Sequence, residues 1–214
     1  MNDFWTEVSV SHHQFYVLDS NLMYLDTEWA DYSNGLVVLM SHGAKIHTGI
    51  HTGNVRVRAH PLPSEPQSLD DGPWDDIVEA SVYSATGQLA VEVPDPAASP
   101  DTYLALPELA HAGPGWYRLR AHARGRDTPH QAVQSDPVED YLLQCWPAPR
   151  TPTHMIRTTD HCGQALRDSA AHHPTPPPSA DSPATPPPDA QRRATEDNLR
   201  RQQRPPDSSG GSGQ

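Results

Sequence analysis

Over the first 150 positions apolar residues alternate in short runs instead of recurring every three or four, which predicts strands. In the stretch 7–18, EVSVSHHQFYVL, Val8 and Val10 share one parity and Phe15 and Val17 the other, so the phase slips near His12 and His13. A β-bulge or a break between two strands produces such a slip. Residues 19–35 hold several acids and close on Asn34-Gly35, predicting a loop or one short helical turn. LVVLMS (36–41), AKIHTGI (44–50) and NVRVRAH (54–60) read as three strands of a meander joined by Ser-His-Gly and His-Thr-Gly turns. In the third, Val55 and Val57 oppose Arg56 and Arg58, the pattern of a sheet with one wet face.

IVEASVY (77–83) and QLAVEV (88–93) flank Ser84-Ala85-Thr86-Gly87, a hairpin signal. Residues 94–115 are mainly Pro, Ala, Asp and Gly, with one short extended piece predicted at 103–106. WYRLRAHA (116–123) alternates again, with Trp116, Arg118 and Arg120 against Tyr117, Leu119 and Ala121, and VEDYLLQCW (138–146) closes the series. About eight strands with few helical patterns predict an all-β domain of two packed antiparallel sheets, a β-sandwich, with a barrel as the alternative.

Composition sets the limit of that domain. All fourteen aromatic residues lie between Phe4 and Trp146, whereas residues 151–214 have none and hold 11 of the 24 prolines. A segment without aromatics buries too little apolar area to offset ordering at about 1–2 kcal/mol per residue. The reading is therefore a β domain over 1–150 and a disordered Pro-rich tail over 151–214. Within the tail HHPTPPPSADSPATPPPDA inclines to polyproline II, AQRRATEDNLRRQQR (190–204) to transient helix, and a PxxP ligand for a partner domain is conceivable.

Charge follows the same division. Residues 1–150 carry 8 Lys plus Arg against 20 Asp plus Glu and so hold the whole net charge of −12, while the tail is neutral. A domain so acidic repels phosphate backbones, which argues against direct nucleic-acid binding. No run of 18 apolar residues predicts a membrane span, and MNDFWTEVSVSHH lacks the basic and apolar regions of a secretory signal, so the expected location is the cytoplasm. Cys145 and Cys162 fall one in each segment and form no CxxC motif, so both read as structural or incidental.

Candidate chemistry is sparse. His47 and His51, four apart, would lie about 13 Å apart along one strand at ~3.3 Å per residue, too far to share an ion without a bend at Gly49. They are nonetheless the weak metal candidates, while adjacent His12 and His13 would face opposite ways. No G-x-S-x-G elbow, GxGxxG or phosphate-binding loop occurs, and no cofactor is indicated. Asp70, Asp71, Asp75 and Asp76 surround Trp74 in a loop without the regular array of a calcium site. That aromatic among acids suits a solvated loop or a partner surface, an anchor within a charged rim.

The opening stretch Glu7-Val8-Ser9-Val10-Ser11-His12-His13-Gln14-Phe15-Tyr16-Val17 resembles the start of the DNA-entry nuclease inhibitor family, also called competence protein J. Gly35-Leu36-Val37-Val38, Gly115-Trp116-Tyr117-Arg118-Leu119 and the strand around Tyr141 resemble later parts of that family in outline. GRDTPHQAVQSDP, inserted between Ala123 and Val138, and the Pro-rich tail have no counterpart there, and His12-His13 replaces the family's Tyr-His pair. The resemblance implies a non-enzymatic, immunity-like protein that binds and blocks a nuclease. An acidic inhibitor would be steered to a basic nuclease cleft, with Asp70, Asp71, Trp74, Asp75 and Asp76 as contacts. Two alternatives stand beside it: an adaptor whose Pro-rich tail recruits a partner, and a His-based metal enzyme or sensor.

Overall fold

The computed structural model of the chain describes residues 4–19, 31–93, 106–127, 133–134 and 136–172. Expectations for residues 20–30, 103–105 and 173–214, including the helical stretch at 190–204, lie outside the described residues. The chain divides into units 1–175 and 176–214, and the described residues all belong to the first.

Eleven strands and one helix follow in chain order: β1 (Thr6–Ser11), β2 (Gln14–Asp19), β3 (Val37–Met40), β4 (Gly43–His47), β5 (Thr52–Pro61), β6 (Asp76–Ser84), β7 (Leu89–Glu92), β8 (Gly115–Arg124), β9 (Val133–Gln134), β10 (Asp140–Pro147), β11 (His154–Thr158) and α1 (His161–His172). They form one hydrogen-bonded path, β11-β6-β8-β10-β5-β1-β2-β4-β3, with β7 beside β2 and β9 beside β5. The β expectation holds. The ladder is continuous, however, instead of divided into two separate sheets, and β10 and β9 run parallel to β5, so the sheet is mixed. It curls into a half-barrel.

The phase slip at His12-His13 is a break between strands. β1 and β2 are joined by a two-residue turn with φ of 55° at His12 and 60° at His13, the left-handed values that a tight hairpin turn needs. The strands pair only at Ser11↔Gln14; β1 then follows β5, whereas β2 follows β4 and β7. The sheet therefore bends sharply at this hairpin. Residues of one parity from both arms fill a common core: Val8 and Val10, Phe15 and Val17, Val55 and Val57, Val78 and Val82, Leu119, Tyr141 and Leu143.

Two expected pairings are replaced. β6 and β7 do not form a hairpin around 84–87: β6 pairs with β8 and β11, and β7 crosses to β2. The connection is tied by Asp19, whose carboxylate accepts from the Ser84 hydroxyl (3.0 Å), the Thr86 amide (2.9 Å) and the Thr86 hydroxyl. The meander ends at β4, since β5 pairs with β1 and β10.

Order also extends past residue 150, which corrects the expectation of a tail over 151–172. β11 adds to the edge of β6, and α1 docks where Gly35 meets Gly163. Gly35 has φ +76°, and a Cβ there would sit 2.6 Å from the Gly163 carbonyl oxygen, so both the turn and the helix contact require glycine.

On the outer face, β5 and β8 carry the arginines, and β6 and β10 carry the carboxylates that hold them. Glu79 accepts from Arg118 Nε (3.1 Å) and Arg120 Nε (2.5 Å), and Asp140 accepts from Arg56 Nε (2.6 Å) and Arg124 Nε (2.6 Å). Each buried carboxylate thus bridges two arginines. The wet-face pattern of Arg56 and Arg58 belongs to this surface, where Trp5 lies under both guanidinium groups, 5.9 and 4.4 Å from its ring centroid.

Candidate functional site

The acidic stretch does not act as one surface. Asp71 is exposed, but Asp70 turns inward and accepts from the Trp74 indole (2.7 Å) and the Gly72 amide (3.0 Å). Burial works against its charge, yet these donors hold the carboxyl below its ordinary value. Asp75 ties strand ends, its carboxylate accepting from the Gly125 amide (2.9 Å) and its carbonyl from the Thr159 hydroxyl (2.6 Å). Asp76 opens β6 and is fully buried.

Trp74 is only 6% exposed, which corrects its reading as an accessible anchor. It forms a satellite core with Ile77, Leu142, Trp5 and Ile156, and its ring lies 5.3 Å from that of His122. The His122 Nδ1 is 3.1 Å from the Leu142 carbonyl, and burial lowers its pKa to about 4. Apolar cover explains that direction, because the charged imidazolium loses its water.

Asp76 belongs to a charge cluster at the end of β8. Arg126 donates through Nε and Nη2 to the two oxygens of Asp160 (2.6 and 2.9 Å) and through Nη2 to Asp76 (2.9 Å). Its Nη1 reaches the carbonyls of Gly35 (2.9 Å) and His47 (3.2 Å). Asp160 also accepts from the Gly163 amide (2.6 Å) and so caps α1. Nearby, Glu139 accepts from the amides of Gly49 (3.1 Å) and Ile50 (2.6 Å) and from the Tyr141 hydroxyl. Burial pushes the Glu139 carboxyl and the Tyr141 phenol above their usual values. These groups lock loop, strand and helix together, and burial raises the thiols of Cys145 to about 12 and Cys162 to about 11, so both are inert at neutral pH.

The histidines converge more than their spacing predicts. His47 ends β4 and His51 precedes β5, so they are not on one strand. The hairpin turn meets them: ring centroids are 5.2 Å apart for His12–His51, 5.5 Å for the stacked His13–His47 pair and 4.9 Å for His13–His51. The turn is held by His13 N to His51 O (3.1 Å) and Thr48 N to His13 O (2.9 Å). Among the described residues no three His, Cys, Asp or Glu side chains are arranged to hold a metal ion.

A cleft of about 510 Å³ opens where the β3–β4 turn, β6, β8 and the segment before β11 meet. Tyr83 and Trp116 are register partners across β6 and β8, with ring centroids 5.3 Å apart at 63°. Arg150 lies over Trp116 at 5.2 Å, and Leu39 and Met40 also line the cleft. The segment behind Arg150 is fixed: Ser81 donates to the Thr151 carbonyl (3.1 Å), the Thr151 amide returns a bond to Ser81 (3.0 Å), and Arg118 donates to the Pro152 carbonyl (3.0 Å). The sequence held one signal of this site. Trp116 shares the parity of Arg118 and Arg120, which puts an indole on the wet face.

No family model matches the chain, and no curated protein matches it. Among solved structures, one titled "Crocagin biosynthetic gene J" is similar over 70% of this chain and 100% of that chain, with a TM-score of 0.40 and 14% identity.

Proposed function

We propose that the protein is a non-enzymatic binding protein of the cytoplasm that inhibits a nuclease by covering its basic cleft. The observation that carries this reading is the sorting of charge. Arg56, Arg118, Arg120, Arg124 and Arg126 are held by carboxylates that are themselves buried, Glu79, Asp76, Asp140 and Asp160. Glu7, Asp31, Glu65, Asp71, Glu108, Asp127, Asp136 and Asp168 remain exposed, against Arg56, Arg150 and Arg157 as the exposed arginines among the described residues. A surface of that sign attracts a phosphate-binding cleft, speeds encounter and weakens with salt. The nuclease as partner class comes from the resemblance of Glu7–Val17, the β1–turn–β2 hairpin, to the DNA-entry nuclease inhibitors.

The test is to mix the purified chain with nucleases encoded beside it and follow both DNA degradation and complex formation by gel filtration. Inhibition with a co-eluting complex whose association slows with added salt is the expected result. Undiminished degradation and separate elution would overturn the reading.

A further inference from the structure

We propose that the Tyr83–Trp116–Arg150 cleft is a binding site for a small aromatic carboxylate, a function independent of nuclease inhibition. Its volume of about 510 Å³ falls within the range of small-molecule sites, roughly 300–1,000 Å³. Its walls are suited to a flat apolar group. Trp116 is 37% exposed and Leu39 42% exposed, two large apolar side chains open to solvent beside one hollow.

Arg150 decides the charge of the ligand. Four neighbouring arginines are engaged by carboxylates, Arg118 and Arg120 by Glu79 and Arg56 and Arg124 by Asp140. Arg150 is exposed at the rim, and among the described residues it forms no ion pair. Its guanidinium already covers one aromatic face, so a cationic ligand would meet like charge at the position where cation–π attraction would otherwise hold it. A carboxylate instead takes the fork of the guanidinium while an attached ring packs on Trp116, Tyr83 and Leu39. Ser41, Thr151 and Thr153 line the same hollow.

The experiment titrates the isotopically labelled full chain with 2-naphthoate and, separately, with the neutral 2-naphthamide, and follows the Trp116 indole resonance by NMR. Saturable shifts with tighter binding of naphthoate are expected. Arg150→Ala should weaken naphthoate roughly tenfold, the worth of one charge-assisted contact, and leave naphthamide unchanged. Trp116→Ala should abolish binding of both, read from neighbouring amides, with the remaining spectrum reporting an intact fold. No saturable shift, equal affinity for the two probes, or naphthoate binding indifferent to Arg150→Ala would overturn the proposal. Since the readout is ligand binding by the chain alone, failure here leaves nuclease inhibition untouched, and the reverse also holds.

Discussion

Arg126 and Asp160 form a wholly buried bidentate pair, Nε to one carboxylate oxygen at 2.6 Å and Nη2 to the other at 2.9 Å. Removing one member of such a pair leaves the other charge without compensation in the interior, at a cost of about 3–5 kcal/mol. Asp160→Ala also removes the cap of α1, worth about 1 kcal/mol. Urea unfolding should therefore show a loss on the order of 4 kcal/mol. Asp160→Asn keeps an acceptor for the Gly163 amide and should lose less.

His122 sets a pH dependence. Its pKa is about 4 in the folded chain, below the ordinary 6.5, so between those values the unfolded chain binds the proton and the folded chain does not. Stability contributed by the neutral ring is present above pH 6.5 and is lost as pH falls towards 4, by on the order of 3 kcal/mol. Denaturant midpoints measured from pH 7 to pH 4 should fall in the wild type. His122→Phe, which keeps an aromatic ring against Trp74, should flatten that part of the curve.

Trp74 and Asp71 separate burial from exposure within one acidic stretch. Trp74→Ala opens the satellite core over Ile77 and Leu142 and should cost about 3 kcal/mol or more. Asp71→Asn, at an exposed position, should change stability by less than about 0.5 kcal/mol. Thermal melts of the two variants provide the comparison.

His12 offers a gain. It is exposed and adopts φ 55° at the first position of the two-residue turn, where Asn is favoured over other side chains. His12→Asn should raise stability by no more than about 0.5 kcal/mol, because it also removes the His12–His51 ring contact. Chemical denaturation with an unchanged slope would establish that the fold is retained.

Strand positions were legible because Val8, Val10, Val55, Val57, Leu119 and Ala121 alternate with polar residues, and alternation records burial on one face. Pairing was not. The hairpin signal around Ser84–Gly87 is local, whereas the crossing of β7 to β2 is secured by Asp19, far away in sequence. The order of 154–172 was hidden for a related reason. β11 buries little side-chain area and is held by its ladder to β6, and α1 is held by Arg126 and by glycine contact, none of which registers in composition. The candidate cleft combines Leu39, Tyr83, Trp116 and Arg150 from four separate segments; only the parity of Trp116 marked any of them in advance.

The completion of β6 by β11 has a consequence for synthesis of the chain. Until residues 154–160 have left the ribosome, one edge of β6 has no strand beside Asp76–Glu79, and Arg126 has Asp76 but not Asp160. An open edge and a half-paired interior charge both favour association with other chains. Final closure therefore waits for residues 154–160, and chains cut short near residue 150 should be recovered mainly as aggregates or as substrates of cellular proteases.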